Sequence, residues 1–259
     1  MQLGQFVPFF QPKIDTRTNR ISGVEVLVRW QHPQRGLLPP SQFIDEAEAA
    51  NLMGRIDRCI IAQAVKAYGD WLNAGFIIGK LSINLTAYNL QSGTFVEYLA
   101  DELRNSGLTA RHVELELLES ILFDCDDSSL FERCRELSQA GFHLALDDFG
   151  TGYASISTLI DNSITTIKID RSFISGIDKQ PRLQRITRSI LALSQQLYLD
   201  VVAEGVETAA ELEVLTAFGC HLVQGYHFSR PLDANRMTGW LRARDECAEE
   251  QSRTQQSMR

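Results

Sequence analysis

The feature that most constrains the fold is a regular alternation of short apolar runs with longer amphipathic stretches along the chain. Most of the apolar runs are nearly continuous, as in strands covered on both faces, and the amphipathic stretches have helical spacing. Eight strands alternating with helices predict an α/β barrel. The strand candidates are Phe6–Pro12, Ile21–Trp30, Lys80–Leu85, His112–Leu117, His143–Asp147, Thr166–Ile169, Asp200–Ala203 and His221–Gly225.

The first two strands depart from this alternation. Only the short stretch Asp15–Asn19 separates them, which is too short for a helical crossover, so we expect them to pair antiparallel. The sequence therefore predicts a modified TIM (β/α)8 barrel with one antiparallel strand. The helix candidates are Arg55–Ala74, Thr94–Asn105, Ser128–Ala140, Arg182–Leu197, Thr208–Phe218 and Asp233–Arg242.

Length and composition fit one such domain, since the 259 residues are 44% hydrophobic. We assign residues 1–244 to the barrel and expect 245–259, which are polar and lose the apolar period, to form a frayed or disordered tail. A net charge of −8 argues against binding of bulk nucleic acid. Five cysteines, an odd number, are expected to be reduced thiols of a cytoplasmic protein. No apolar run is long enough to span a bilayer, so we expect no membrane contact from this chain.

Polar side chains, nearly all of them oxygen-bearing, recur where the predicted strands end. Because the loops after the strands of such a barrel build its active site, we expect these side chains to converge on one mouth. Any one of them can also be a solvated loop residue or a helix N-cap. The residues are Glu25 within the second strand, Asn84, Glu116, Asp147, Asp148, Lys168, Asp170, Glu204, Glu207 and Gln224.

Carboxylates that converge repel one another unless cations lie among them. Oxygen ligands without thiols or imidazoles indicate a hard divalent ion, Mg²⁺ or Mn²⁺, and the number of carboxylates favours two ions. A two-metal site suits phosphoester hydrolysis. Lys168, in an apolar strand, can hold or deprotonate a metal-bound water, or be a surface lysine. Arg29, on the same strand face as Glu25, can contact a phosphate or pair with a structural carboxylate.

Taken in order, these residues resemble a known family. From about Phe6 to Leu241 the chain is similar to EAL domains, whose naming signature is here Glu25-Val26-Leu27. The other matching blocks are Gln11-Pro12, Ser82–Thr86, Glu116–Ser120, Asp147–Tyr153, Ile167–Asp170, Glu204–Thr208 and Gln224–Tyr226.

The resemblance implies a phosphodiesterase that hydrolyses cyclic di-GMP to linear 5′-pGpG. It implies metal ligands at Glu25, Asn84, Glu116, Asp147, Asp148 and Glu204, with Lys168, Glu25 and Glu204 as the catalytic group. It implies substrate contacts from Gln11, Arg29, Asp170 and Gln224, and loop-anchoring or supporting roles for Glu119 and Glu207. A homodimer is also implied.

Three alternatives stay open at this point. The chain can be an EAL-type receptor that binds cyclic di-GMP without cleaving it, although such relatives typically lose metal ligands and none of the expected ligands is missing here. It can be a protein-interaction domain, although Gln11, Arg29 and Asp170 are retained. It can also be an unrelated metal-dependent barrel, which the ordered blocks disfavour.

Overall fold

A computed structural model of the chain describes residues 3–119, 121, 128–151, 159 and 163–257. All eight predicted strands are present, and a short ninth strand was not predicted. The strands are β1 Phe6–Asp15, β2 Arg20–His32, β3 Gly36–Leu38, β4 Lys80–Leu85, β5 Val113–Leu118, β6 His143–Phe149, β7 Ile164–Ile169, β8 Asp200–Ala203 and β9 Leu222–Gln224.

Eight of these strands close into a barrel in the order β1, β9, β8, β7, β6, β5, β4, β2 and back to β1. Strand β1 is antiparallel to both of its neighbours, with Gln11 opposite Glu25 and Lys13 opposite Gln224. The other neighbouring pairs are parallel. The predicted modified barrel with one antiparallel strand is confirmed, and β3 lies outside it, paired to the far end of β2.

The helices surround this barrel, and each predicted helix is present with its ends moved by one or two residues, except the last. The α-helices are α1 Ile44–Ala49, α2 Met53–Asn73, α3 Ala87–Gln91, α4 Phe95–Asn105, α5 Ser128–Gln139, α6 Arg171–Ile174, α7 Pro181–Gln196, α8 Ala209–Ala217 and α9 Ala234–Ser257. Short 3₁₀ turns lie at Leu3–Gln5, Pro40–Gln42 and Ala110–His112. Among the described residues, no helix is both long and apolar enough to cross a membrane.

The core lies between the barrel wall and the helices. Helix α2 buries one face, including Ile60 and Trp71, against the barrel. The Trp71 ring meets the edge of Phe10 on β1 at a centroid distance of 4.7 Å. Such a pair adds about 0.5–1.5 kcal/mol to the burial of the two rings. The helix therefore covers the antiparallel strand that closes the barrel.

The structure differs from the sequence prediction at the C-terminal end. Residues 245–257, which lie in the predicted frayed or disordered tail, continue α9, which runs to Ser257 rather than ending at Arg242. The segment has no glycine or proline and is rich in Glu and Gln, both of which favour helix without needing a buried face. Loss of an apolar period was thus a poor signal for loss of helix. Whether 1–244 is the domain boundary stays a prediction.

Candidate active site

The candidate site lies at the carboxyl end of the parallel strands. Glu116 comes from β5, Asp147 from β6, Lys168 from β7, and Glu204 directly follows β8. The backbone N–H of Glu204 donates to the carbonyl of Ile169 at 3.1 Å, which continues the strand pairing one residue further. Parallel strands in register therefore bring four side chains, distant in sequence, to one mouth.

Lys168 is the centre of the site and is 1% exposed. Its Nζ lies 2.6 Å from Glu116 Oε2, 2.7 Å from Glu204 Oε1, 3.0 Å from Asp147 Oδ1 and 3.7 Å from Glu25 Oε2. Burial alone would lower the pKa of this ammonium, but the surrounding carboxylates outweigh burial and raise its pKa well above the usual value. Lys168 is therefore a protonated cation that forms ion pairs with the carboxylates around it and donates a hydrogen bond to Glu116.

Three carboxylates stand close together beside this lysine. Oxygen atoms of Asp147, Asp148 and Glu204 all lie within 4.8 Å of one another. Burial, with Asp147 and Asp170 nearby, raises the pKa of Asp148 to about 6. Burial also raises the pKa of Glu204, and the like charge of Asp147 adds to that rise. Carboxylates that oppose one another's ionisation form a site that a cation would stabilise.

The donor atoms fit a hard cation in a second respect. Oε1 of Glu204 is buried and close to Nζ of Lys168, yet no described group makes a hydrogen bond of good geometry with it. A buried acceptor of this kind normally has a partner. The acidic cluster of Asp147, Asp148 and Glu204 can therefore hold a divalent metal ion.

The chain around Asp148 is held in an unusual conformation. Asp148 has φ = 55°, and its N–H donates to Oδ1 of Asp147 at 3.0 Å. A non-glycine residue in this region costs free energy and persists where its surroundings fix it. Glu119, which is 3% exposed, accepts the N–H of Gly150 at 2.9 Å and so ties the following loop to the end of β5. The block Asp147–Tyr153 continues through Gly152 and Tyr153, which lie outside the described residues.

The other wall of the mouth is formed by amides around Glu25. Gln224 donates from Nε2 to Oε2 of Glu25 and, at 3.2 Å, to Oε1 of Gln11. Asn84 donates to Oε1 of Glu25 at 3.3 Å. Oε1 of Gln224 is buried and has no hydrogen-bond partner among the described residues. Gln11, Glu25, Asn84 and Gln224 thus lie together beside Lys168.

Three further predicted residues lie outside this cluster. Arg29 donates to the carbonyl of Val28 at 2.8 Å and lies over the Phe9 ring, and it has no ion pair with a described carboxylate. Asp170 caps α6 by accepting the N–H of Ser172 at 2.9 Å. Glu207 is exposed and pairs with Arg171 at 2.9 Å.

Sequence reasoning missed a second polar layer beneath the mouth, inside the barrel. Lys13 on β1 is 3% exposed, and its Nζ donates to Ser82, Glu114 and Glu116. Burial alone would raise the pKa of Glu114, but the Lys13 ammonium outweighs it and lowers that pKa to about 2. Thr166 donates to the other oxygen of Glu114 at 3.1 Å. The available signal was a lysine in an apolar strand, which was used for Lys168 but not for Lys13.

Together, fold and site define the chain as a modified (β/α)8 barrel whose carboxyl-terminal mouth carries an acidic cluster that could hold a metal ion. The order of its blocks along the chain is more specific than the fold. The chain belongs to the EAL domain family, whose model matches residues 1–231.

Similar proteins carry the same domain within longer chains. The chain is 39% identical over 236 residues to the cyclic di-GMP phosphodiesterase NbdA of Pseudomonas aeruginosa, covering 90% of this chain and 30% of NbdA. It is 37% identical over 238 residues to the cyclic di-GMP phosphodiesterase PdeR of Escherichia coli, covering 92% of this chain and 36% of PdeR. The chain thus spans about a third of the length of these relatives.

A solved structure is similar over nearly its whole length. The PaMucR phosphodiesterase in complex with c-di-GMP superimposes with a TM-score of 0.85 at 35% identity, covering 90% of this chain and 94% of that one. MucR is a protein of Pseudomonas aeruginosa. The barrel of this chain therefore has the architecture of an EAL domain that binds cyclic di-GMP.

Proposed function

We propose that this chain hydrolyses cyclic di-GMP to linear 5′-pGpG in a reaction that requires Mg²⁺ or Mn²⁺, with two ions at the site. The observation that carries the proposal is the acidic cluster of Asp147, Asp148 and Glu204 beside the buried Lys168, in a chain of the EAL family. Glu25, Asn84 and Glu116 complete the proposed ligand set. Such ions, when bound, lower the pKa of a coordinated water and stabilise charge that develops on phosphate oxygens.

The residues of the chain itself have distinct proposed roles. Lys168 donates a hydrogen bond to Glu116 and forms ion pairs with Asp147 and Glu204, and so keeps these carboxylates in a fixed arrangement. Gln224 donates to Glu25 and orients it, and Gln11, which accepts from Gln224, faces the substrate with it. Arg29, which has no carboxylate partner among the described residues, supplies a positive charge for a phosphate. Asp170 contacts the substrate or its waters in this proposal, and Glu119 and Glu207 anchor the adjoining loops.

The test is incubation of the purified chain with cyclic di-GMP and either Mg²⁺ or Mn²⁺, followed by nucleotide chromatography. We expect pGpG from the unmodified chain and a strong loss of turnover in Asp147→Asn. Asp200→Asn is the matched control, because Asp200 is an exposed carboxylate at the opposite end of the barrel wall. Its turnover should be unchanged.

One result would decide for a receptor instead. If the chain binds cyclic di-GMP but forms no pGpG across a range of both metal concentrations, the hydrolase proposal is wrong. A homodimer and a cytoplasmic location stay predictions, and sedimentation of the purified chain measures the first.

A further inference from the structure

Lys13 lies below the mouth, in the interior of the barrel. Its three donor hydrogens are all used, because Nζ lies 2.6 Å from Ser82 Oγ, 2.7 Å from Glu114 Oε1 and 2.6 Å from Glu116 Oε1. It is 3% exposed, and among the described residues of the mouth it makes a hydrogen bond only to Glu116. Burying a lysine this deeply costs free energy unless the ammonium pairs with carboxylates.

Glu116 lies between two lysines. Its Oε1 accepts from Lys13 and its Oε2 accepts from Lys168, each at 2.6 Å, and the residue is 1% exposed. Two donors on opposite oxygens fix the rotation of the carboxylate plane. Each carboxylate oxygen has two acceptor positions, so Oε2 can still accept at the mouth while Oε1 is directed into the barrel.

The antiparallel strand is what brings Lys13 to this position. Gln11 and Lys13 are two residues apart and share the interior face of β1, with Gln11 at the level of Glu25 and Lys13 opposite Gly23. β1 thus contributes one side chain to the mouth and another to the layer beneath it.

We propose that Lys13 is a positioning residue, which holds Oε1 of Glu116 away from the mouth so that Glu116 offers a single oxygen, Oε2, to a metal ion. This inference rests on the proposed function, since it takes Glu116 as a ligand. Groups that orient a metal ligand from behind typically change metal affinity or activity by about 10–100-fold when removed.

Removal of Lys13 has two effects on the affinity for a cation, and these effects have opposite signs. A measurement of affinity therefore distinguishes them. Loss of the positive charge alone would strengthen cation binding, because less repulsion remains. Loss of the hydrogen bond to Oε1 frees the carboxylate to rotate and weakens binding. The proposal requires the second effect to be the larger one.

The experiment measures Mn²⁺ binding to Lys13→Met directly, from the electron paramagnetic resonance signal of unbound Mn²⁺. We expect affinity to fall by roughly tenfold or more. The Mn²⁺ concentration that half-saturates cyclic di-GMP hydrolysis should rise by the same factor, while kcat at saturating Mn²⁺ largely recovers. Unchanged or tighter Mn²⁺ binding would overturn the proposal.

Glu114→Gln is the matched control. It changes the other carboxylate partner of Lys13, at the same depth, but leaves the contact between Lys13 and Glu116 in place. Its Mn²⁺ affinity should equal that of the unmodified chain. An equal loss of affinity in Glu114→Gln would assign the effect to general loosening of the barrel interior and contradict the proposal.

A second variant covers the case in which Lys13→Met does not fold because Glu114 is left buried without its cation. The double variant Lys13→Met/Glu114→Gln removes one positive and one negative charge, so the net charge of the layer is unchanged. Weakened Mn²⁺ binding in the folded double variant supports positioning, and affinity equal to Glu114→Gln refutes it. If the unmodified chain forms no pGpG, the proposed function fails, but the binding comparison still tests Lys13.

Discussion

Replacement of Lys168 by methionine is the most informative single change to this barrel. Methionine is nearly as long as lysine and removes only the charge and the hydrogen bonds. In the unmodified chain, Nζ lies within 4 Å of oxygens from Glu25, Glu116, Asp147 and Glu204. The variant therefore keeps these carboxylates in a buried mouth without the cation that they share.

The expected cost follows from the burial of the group. Removing one partner of a buried ion pair typically costs about 3–5 kcal/mol, because the remaining charge stays desolvated. For a domain of this size about 1 kcal/mol shifts the melting temperature by roughly 2–4 °C, so the metal-free variant should melt roughly 6–20 °C lower. Cyclic di-GMP turnover should also fall strongly.

The loss of stability should depend on pH with a definite sign. Without Lys168, the folded-state pKa of Glu204, which burial already raises above its unfolded value, rises further. The ionised carboxylate is then less stable in the folded state than in the unfolded state, which lowers the free energy of unfolding. This loss is complete above the folded-state pKa and absent below the unfolded-state pKa. The deficit in melting temperature should thus be larger at pH 8 than at pH 5.

Thermal melts with and without Mg²⁺ are the assay. A cation among the same carboxylates replaces the lost charge, so Mg²⁺ at about 100 times its Kd should restore about 2.7 kcal/mol. Lys66→Met is the control, since Lys66 is an exposed lysine paired with Asp70 and should change stability by less than about 1 kcal/mol. A metal-free Lys168→Met protein that melts like the unmodified chain would refute the reasoning.

Three further predictions concern other parts of the molecule. Asp57 is largely buried, accepts a hydrogen bond from Thr86, and has its pKa raised to about 6 by burial. Asp57→Asn should therefore add about 1–3 kcal/mol of stability at pH 8, and urea unfolding should show that gain vanishing towards pH 4; equal stabilities at pH 8 would contradict this. Gly79→Ala would place Cβ 1.7 Å from the Ser22 carbonyl oxygen and should cost about 3–5 kcal/mol, whereas Gly93→Ala, with open space around it, is a near-neutral control. Ca²⁺ should support cyclic di-GMP binding with slower hydrolysis than Mg²⁺, because it is larger and less strict in geometry; equal turnover in the two metals would rule this out.

Much of the fold could be predicted because the local sequence pattern indicates most of its strands and helices. Runs such as Lys80–Leu85 and His143–Asp147 are apolar over strand length, and the stretch after Asp15 is too short for anything but an antiparallel turn. Strand β3 was missed because its three residues carry no apolar period. It exists because the far end of β2 extends beyond the barrel and leaves an edge to pair with.

The candidate site was predictable as a set of residues but not as an arrangement. Strand ends in a parallel barrel meet at one face, so Glu116, Asp147 and Glu204 could be grouped from their positions alone. An N-cap role for Asp170 was among the alternatives, but nothing local indicates that this residue also lies near Asp148 at the mouth, or that Arg29 lies over an aromatic ring. These contacts depend on where β2 and α6 end in space.

By itself, the sequence determined the alternation of strands and helices, the antiparallel first strand and the residue types at the mouth. These follow from periodicity and from side-chain chemistry, which neighbouring residues fix. Only the tertiary structure decided that Lys168 and Lys13 hold Glu116 from opposite sides. Closure of the barrel sets that geometry, because it brings side chains from strands far apart in sequence close together. Charged groups buried in this interior must pair with other groups inside the barrel.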